Sequence, residues 1–147
     1  YGESIPTFRE PPEHSIPRNY VAPRFPGIED EVAVAAGEAL ANPHKPSMES
    51  LRRGQIIYNR ICITCHGKLG KGDGPVVGPD RYPAPTSLHD ATVVAYPDGR
   101  IYHVISEGKG KMKGYKDKIE RLDRWDVVNY VRALQRAVNP KPEDLNR

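Results

Sequence analysis

Residues 58–66, with the sequence YNRICITCH, decide the fold, because they hold the chain's two cysteines, Cys62 and Cys65, followed directly by His66. The spacing Cys-x-x-Cys-His is the attachment motif of a c-type haem. Residues three apart share a face of a helix, so both sulfurs can reach one edge of the haem and His66 is carried beneath the iron. The sequence therefore predicts one covalent haem c with His66 as an axial ligand.

The same cysteines could instead belong to a zinc site or a redox-active dithiol. A zinc site needs two further Cys or His ligands at suitable spacing, whereas the other four histidines are scattered singly along the chain. A thioredoxin-like dithiol is expected in a βαβ context, and no such pattern is present. Two cysteines this close also cannot close the long loop from which a structural disulfide stabilises most. Haem attachment is the favoured interpretation.

The second axial ligand decides whether the iron carries electrons or binds small molecules. Only Met48 and Met112 offer a thioether. Met48 begins the helix that ends in the cysteines, whereas Met112 lies in a glycine-rich loop that can approach a flat ring closely. Met112 is the predicted ligand, and His89 or His103 is the alternative. His/Met ligation suits a carrier of high reduction potential.

The loop that follows the motif, residues 67–85, is rich in glycine and proline. A metal-ligating histidine donates its second ring N–H to an acceptor that fixes its orientation. The backbone carbonyl of Pro75 is the predicted acceptor for His66. Pro75 can also rigidify the turn after Gly72-Asp73-Gly74.

Apolar residues at helical spacing predict a helical fold. Ser47 is the predicted N-cap of the helix that carries the cysteines, and Asp98 of a second helix. A third helix begins near Asp123, with Asp126 completing a capping box, and stops at Pro140. No alternating strand pattern is longer than a few residues. The sequence therefore predicts an all-α fold with long loops.

Eight of the fifteen prolines lie in the first 46 residues. Each fixes its own φ and disfavours the helical region for the residue before it. Residues 1–46 are therefore predicted to form an extended arm, with residues 29–41 as its one helical candidate. The arm is interpreted either as a disordered tail or as a segment that lies along a partner protein. Residues 47–138 are the predicted haem domain, which we expect to fold without the arm, and residues 139–147 are a tail.

Together these motifs resemble a class I c-type cytochrome over residues 47–137. The resemblance rests on Gly54 and Tyr58, the motif at 62–66, GDGP at 72–75, Met112 with Tyr115, and residues 125–134. It implies a class I cytochrome c fold of three to five helices around one covalent haem, in which the first helix crosses the last near Tyr130. It also implies that the Pro75 carbonyl accepts from His66 and that Met112 and Tyr115 contact the haem. Lys113 stands where that family usually has a proline.

A narrower similarity concerns residues 97–105, the Met112 loop and residues 123–135. They are similar to the monohaem cytochrome c subunit of bacterial alternative complex III, a quinol-oxidising machine that passes electrons to a cytochrome acceptor. This resemblance implies an exported, resident subunit on the periplasmic side of a bacterial inner membrane. Such subunits are commonly lipid-anchored through an N-terminal cysteine, and Tyr1 has none near it. Membrane contact is therefore expected to be indirect or through an anchor that this sequence does not show.

Charge is divided along the chain, whose net charge is +3. Residues 1–46 hold seven acidic and four basic residues, and the remainder holds twelve acidic and eighteen basic residues. Lysines surround the Met112 loop and follow the cysteine motif: Lys109, Lys111, Lys113, Lys116, Lys118, Lys68 and Lys71. If the haem edge emerges there, these lysines would steer an acidic redox partner; the alternative is an ordinary solvated loop. Nucleic acid is not expected, because no aromatic residues interleave with the basic ones.

The predicted function is one-electron transfer by a monohaem carrier that is not itself an enzyme. We expect a resident subunit of a membrane-bound quinol-oxidising respiratory or photosynthetic complex. The alternatives are a free periplasmic shuttle to a terminal oxidase or reaction centre, and a ligand-binding sensor with a labile sixth site. No stretch approaches the roughly 20 apolar residues of a membrane span, and no leader-like segment opens the chain.

Overall fold

The computed structural model describes residues 24–144, in which helices and one short hairpin surround a deep cavity. In chain order the elements are α1 (Asp30–Ala39), α2 (Met48–Ile57), a π-helical turn (Tyr58–Cys62), α3 (Ile63–His66), α4 (Ala91–Ala95), α5 (Asp98–Glu107), β1 (Gly108–Lys109), β2 (Met112–Lys113), α6 (Arg121–Val138) and a 3-10 turn (Pro142–Asp144). The predicted all-α class is confirmed.

The helix that carries the cysteines is continuous from α2 through the π-helical turn into α3. Its predicted N-cap is confirmed, since the Ser47 hydroxyl accepts from the Ser50 N–H at 3.1 Å. The turn at Tyr58–Cys62 is wider than an α-helix, and such π-bulges are rare and frequent at functional sites. It leads directly into α3, which ends at Gly67. One helical rod therefore delivers Cys62, Cys65 and His66 to the same place.

Helices α2 and α6, the first and last helices of the haem domain, cross at Gly54, as the resemblance implied. A Cβ atom on Gly54 would overlap the carbonyl group of Asp126 and lie 2.9 Å from Tyr130 Cβ. The ring centroids of Tyr58 and Tyr130 are 5.3 Å apart in an edge-to-face arrangement, which is favourable for aromatic pairs. The two helices can approach this closely only because residue 54 has no side chain.

Helix α6 forms the centre of the core. Val127, Val128 and Val131 are at most 4% exposed, and they pack in one cluster with Ile57, Ile101, Ile105, Ile119 and Trp125. The Tyr102 and Trp125 rings stack with centroids 4.1 Å apart. The apolar spacing that predicted this helix therefore marks its buried face.

The predicted helix caps at Asp98, Asp123 and Asp126 are wrong. Helix α6 begins at Arg121, where Asp123 binds Arg53 of α2, and Asp126 Oδ1 lies 2.9 Å from His44 Nδ1. Asp98 lies inside the first turn of α5 and accepts from Arg132 Nε of α6 at 2.7 Å. Basic side chains from distant parts of the chain contact these three carboxylates instead, and a local sequence pattern does not contain those partners.

The described part of the predicted arm, residues 24–46, is helical over Asp30–Ala39 rather than extended throughout. Helix α1 packs on α5: Gly37 lies against Pro97, and Gly99 lies against the carbonyl groups of Ala36 and Leu40. Small residues at these positions bring the two backbones together. The helical candidate at 29–41 is confirmed, and it is part of the folded body. Residues 1–23 lie outside the described residues.

Candidate haem site

A cavity of about 940 Å³ lies between α3, the loop at 82–88, α5, α6 and the β1–β2 hairpin. Cofactor pockets typically have volumes of roughly 300–1,000 Å³ and mostly apolar walls with a few placed polar groups. The walls here are apolar over a long stretch: Ile61, Leu88, Val93, Ile101, Val104, Ile105, Val127 and Val131. The helical spacing of apolar residues in the sequence did not show that these side chains line a cavity.

Five of the six predicted cofactor residues line this cavity, and Pro75 does not. Cys62, Cys65 and His66 form one side, because the π-helical turn and α3 place them together. Met112 and Tyr115 come from the hairpin and the chain just after it. The fold therefore joins two segments that are far apart in sequence.

The two cysteines are not joined by a disulfide. Burial raises the pKa of the Cys62 thiol to about 12, and the nearby Cys65 adds to the rise. Cys62 is therefore neutral at physiological pH. Within residues 24–144, no cluster of three or more Cys, His, Asp or Glu side chains is arranged to hold a metal ion.

His66 is held as a neutral imidazole. Burial lowers its pKa, and the neutral ring is the form that ligates a metal. Its Nδ1 atom is buried without a hydrogen-bond partner among the described residues. A buried ring nitrogen without a partner is costly, and Nε2 is the ring nitrogen left to bind a group in the cavity.

The predicted hydrogen bond from His66 to the Pro75 carbonyl is absent from the structure. The Pro75 oxygen accepts from Arg81 Nη1 at 3.2 Å instead. The loop wraps His66 through backbone bonds, with the Gly72 N–H donating to the His66 carbonyl at 2.9 Å. This path directs the Pro75 carbonyl towards Arg81, and the motif alone could not show that.

The Tyr58 hydroxyl closes the turn after the motif by donating to the Gly67 carbonyl at 2.8 Å. Tyr58 is 1% exposed, and burial raises its pKa above the ordinary range. The hydroxyl therefore stays protonated and able to donate. Sequence reasoning placed Tyr58 on the correct helix face but missed this bond, because its acceptor is a backbone atom nine residues away.

Met112 lies on β2 of a hairpin in which Lys109 pairs with Met112 and Gly108 with Lys113. Gly110, with φ +56°, makes the turn. Glycine adopts this left-handed conformation without the steric cost that other residues incur. The hairpin presents Met112 to the cavity, with Tyr115 after it. Burial raises the pKa of Tyr115, with smaller effects from the two cysteines.

The competing candidates for the distal ligand do not line the cavity. Met48 is 67% exposed at the start of α2. His103 is 3% exposed, with its Nε2 atom 3.1 Å from the Phe25 carbonyl oxygen, and His89 Nε2 lies 2.6 Å from the Leu69 carbonyl oxygen. Among the described residues, Met112 is the one thioether at the cavity.

Exposed lysines surround the mouth of the cavity. Lys109, Lys111, Lys113 and Lys118 all line it. Lys109 Nζ lies 2.7 Å from Asp30 Oδ1 of α1, so part of its charge is neutralised within the chain. Four of the seven lysines identified in the sequence therefore lie where they can act on a molecule that approaches this opening, whereas Lys68, Lys71 and Lys116 do not line the cavity.

These residues fit a covalently bound haem c. The two thiols and the buried imidazole stand on one wall, a thioether stands on the wall formed by the hairpin, and the cavity between them is large and apolar. Soft thioether and imidazole ligands suit haem iron. The mostly apolar lining would suit a flat ring that is itself largely apolar.

Comparison with known proteins gives a family and a fold. Residues 49–131, more than half of the chain, match the sequence model of the family described as Cytochrome C oxidase, cbb3-type, subunit III. No curated protein matches the chain.

Among solved structures, a chain of the Kuenenia stuttgartiensis reducing HAO-like protein complex is similar, with 23% identity and a TM-score of 0.53. The match covers 63% of this chain and 46% of that one, so this chain spans less than half of the length of that protein. Within residues 24–144, no helix is both long and apolar enough to cross a membrane. The family match, the helical fold and the cysteine motif agree: the chain belongs to this cytochrome c family, has a class I cytochrome c fold and is an electron carrier with covalent haem c.

Proposed function

We propose that His66 and Met112 are the two axial ligands of the haem that Cys62 and Cys65 bind covalently. When bound, haem c supplies a one-electron Fe(III)/Fe(II) couple. The observation that carries the proposal is that all four side chains line one apolar cavity. Because His66 Nδ1 is buried, Nε2 is the nitrogen that remains for the iron.

The remaining residues of the site keep the cavity dry and protect both ligands. The apolar side chains of α5 and α6 line one side. A water-excluding shell that holds two neutral ligands favours the reduced, less charged state of the iron and so raises the reduction potential. The chain's own work is therefore to position ligands, exclude water and present a docking face.

The ligand assignment is tested by replacing each methionine in turn. Met112→Ala should retain covalent haem but lose the methionine-to-iron charge-transfer absorption of the oxidised protein, and its reduced form should bind carbon monoxide readily. Met48→Ala is the matched control, because Met48 is 67% exposed and away from the cavity. An unchanged oxidised spectrum in Met112→Ala would show that Met112 is not a ligand.

We further propose that the chain is a resident subunit of a membrane-bound quinol-oxidising complex similar to alternative complex III. Residues 1–23 support this, since a segment with five prolines loses little entropy when it orders on a partner. The solved structure that resembles the chain comes from a protein complex, which is consistent with further protein partners. The site would then face the periplasm, where haem c is attached, and membrane contact would be indirect or through an anchor.

This assignment is tested by gentle detergent solubilisation of native membranes, followed by capture of the chain. The expected result is copurification of other subunits and reduction of the haem by quinol. Recovery of a lone cytochrome would favour the free periplasmic shuttle, for which the proline-rich segment has no role.

A further inference from the structure

We infer that Tyr82 is a positioning residue that holds the Met112 hairpin closed over the cavity. The inference rests on the proposed function, in which Met112 is an axial ligand. Tyr82 lies in the loop that forms the opposite wall, 30 residues before Met112 in the sequence. Its hydroxyl donates to the Lys111 carbonyl oxygen at 2.6 Å. This bond joins the two walls next to the ligand.

The hairpin has little stability of its own. Its ladder consists of two residue pairs, and an isolated two-stranded hairpin is marginal in water. A Cβ atom on Gly110 would meet no atom within 4 Å, so the turn projects into open space. Among residues 24–144, the Tyr82 bond is the one hydrogen bond that links the hairpin to the loop at 67–90. Lys109 also ties the hairpin to Asp30 of α1 at 2.7 Å, so the Tyr82 bond is the hydrogen bond that holds the hairpin against the loop on the opposite wall.

Tyr82 itself is anchored to the helix that carries the other axial ligand. The Tyr82 N–H donates to the Val76 carbonyl at 3.1 Å, and the Gly78 N–H donates to the Tyr82 carbonyl at 3.2 Å. The Val76 N–H in turn donates to the Thr64 carbonyl of α3 at 3.3 Å. A short path of hydrogen bonds thus connects α3, which ends in His66, to the residue before Met112.

The hydrogen bond from the Tyr82 hydroxyl should lower the fraction of molecules in which the hairpin is open. Carbon monoxide can reach the reduced iron only after Met112 leaves, so its binding rate follows the open fraction. A hydrogen bond of this kind contributes about 0.5–1.5 kcal/mol net, which corresponds to roughly a threefold to tenfold change in that fraction.

The test uses the intact holoprotein with Tyr82→Phe, which removes only the hydroxyl. We expect carbon monoxide binding to the reduced haem to become about threefold to tenfold faster, and hydrogen exchange of the amides at 108–114 to rise by a similar factor. Covalent haem should be unchanged. Tyr130→Phe is the matched control, because its hydroxyl lies outside the cavity and its neighbour Gln55 Nε2 is 3.4 Å away; both rates should equal those of the wild type.

The outcomes separate this inference from the ligand assignment. If the wild type binds carbon monoxide slowly, Met112→Ala binds it fast and Tyr82→Phe behaves like the wild type, then the role of Tyr82 is refuted and the ligand stands. If the wild type and Met112→Ala bind equally fast, the ligand assignment fails first. A uniform loss of thermal stability in Tyr82→Phe, without a change in carbon monoxide binding or in exchange of the hairpin amides, would also refute the positioning role.

Discussion

Two residues that are not proposed as iron ligands, Gly54 and Tyr58, position the helix that carries the cysteines. Gly54 lets α6 lie against α2, and Tyr58, one turn later, bonds to the Gly67 carbonyl at 2.8 Å. These contacts fix the position of the π-helical turn that carries Cys62. The covalent attachment points therefore depend on a glycine that does not touch the cavity.

Replacing Gly54 by alanine should destabilise the holoprotein by about 1–3 kcal/mol, the usual cost of inserting an atom into a filled contact. The added Cβ would overlap the Asp126 carbonyl and press on Tyr130. Denaturant unfolding, followed by haem absorption and circular dichroism, measures this loss. Gly78→Ala is the control, since the nearest atom would be 3.5 Å away. Equal unfolding midpoints for both variants would show that the crossing can relax.

At the scale of elements, α1 is bound to the haem domain by contacts of several kinds. Ala33 and Ala36 are at most 3% exposed, and Asp30 Oδ1 lies 2.7 Å from both Arg100 Nη2 and Lys109 Nζ. These partners lower the pKa of the Asp30 carboxyl. We therefore propose that the folded body includes α1, whereas the sequence led us to expect that residues 47–138 fold without the residues before them.

Two truncations distinguish the folded segment from a possible tether. Removing residues 1–46 should destabilise the haem domain by roughly 3 kcal/mol, because Ala33, Ala36 and Leu40 would no longer cover α5. Removing residues 1–23 should leave the unfolding midpoint unchanged. Denaturant unfolding of the two holoproteins gives this comparison.

Retention of the shorter truncation in the solubilised complex provides a separate readout. If residues 1–23 are the tether, that variant folds normally but no longer copurifies. Normal copurification would place the contact elsewhere on the chain. Equal unfolding midpoints for the two truncations would instead show that α1 contributes nothing to the domain.

At the scale of the whole molecule, charge is asymmetric. The lysines at the mouth of the cavity belong to the part of the chain with eighteen basic and twelve acidic residues. A cluster of one sign around a low-dielectric opening concentrates ions of opposite sign there and raises encounter rates. We therefore propose this opening as the docking face for an acidic redox partner.

The double variant Lys111→Glu/Lys118→Glu should slow oxidation of the reduced protein by hexacyanoferrate(III) by roughly tenfold at low ionic strength. At about 1 M salt the difference should vanish, because charges are screened beyond roughly 3 Å. Stopped-flow absorbance at both salt concentrations measures the effect. Lys45→Glu/Lys141→Glu changes the net charge equally, at positions that do not line the cavity. The same slowing in this control would indicate a net-charge effect without local steering.

The sequence by itself determined the cofactor chemistry and the helical class. The cysteine motif is local, since one helical turn is enough to bring Cys62, Cys65 and His66 together. The apolar spacing of α2 and α6 is also local, because it predicts a helix with one buried face whatever that face packs against. The Ser47 cap followed from such a local pattern and the Gly54 crossing from the family resemblance, and the structure confirms both.

Only the tertiary structure decided which distant groups meet. Met112 lines the cavity, whereas Met48, His89 and His103 do not. The Pro75 carbonyl accepts a hydrogen bond from Arg81 and not from His66. The tertiary structure paired Asp98 and Asp123 with arginines on other helices, placed Asp126 beside His44, and packed α1 onto α5. The physical reason is the same in each case. Hydrogen bonds and ion pairs form only between groups that are close in space, and the spacing of residues along the chain does not show which distant groups the fold brings together.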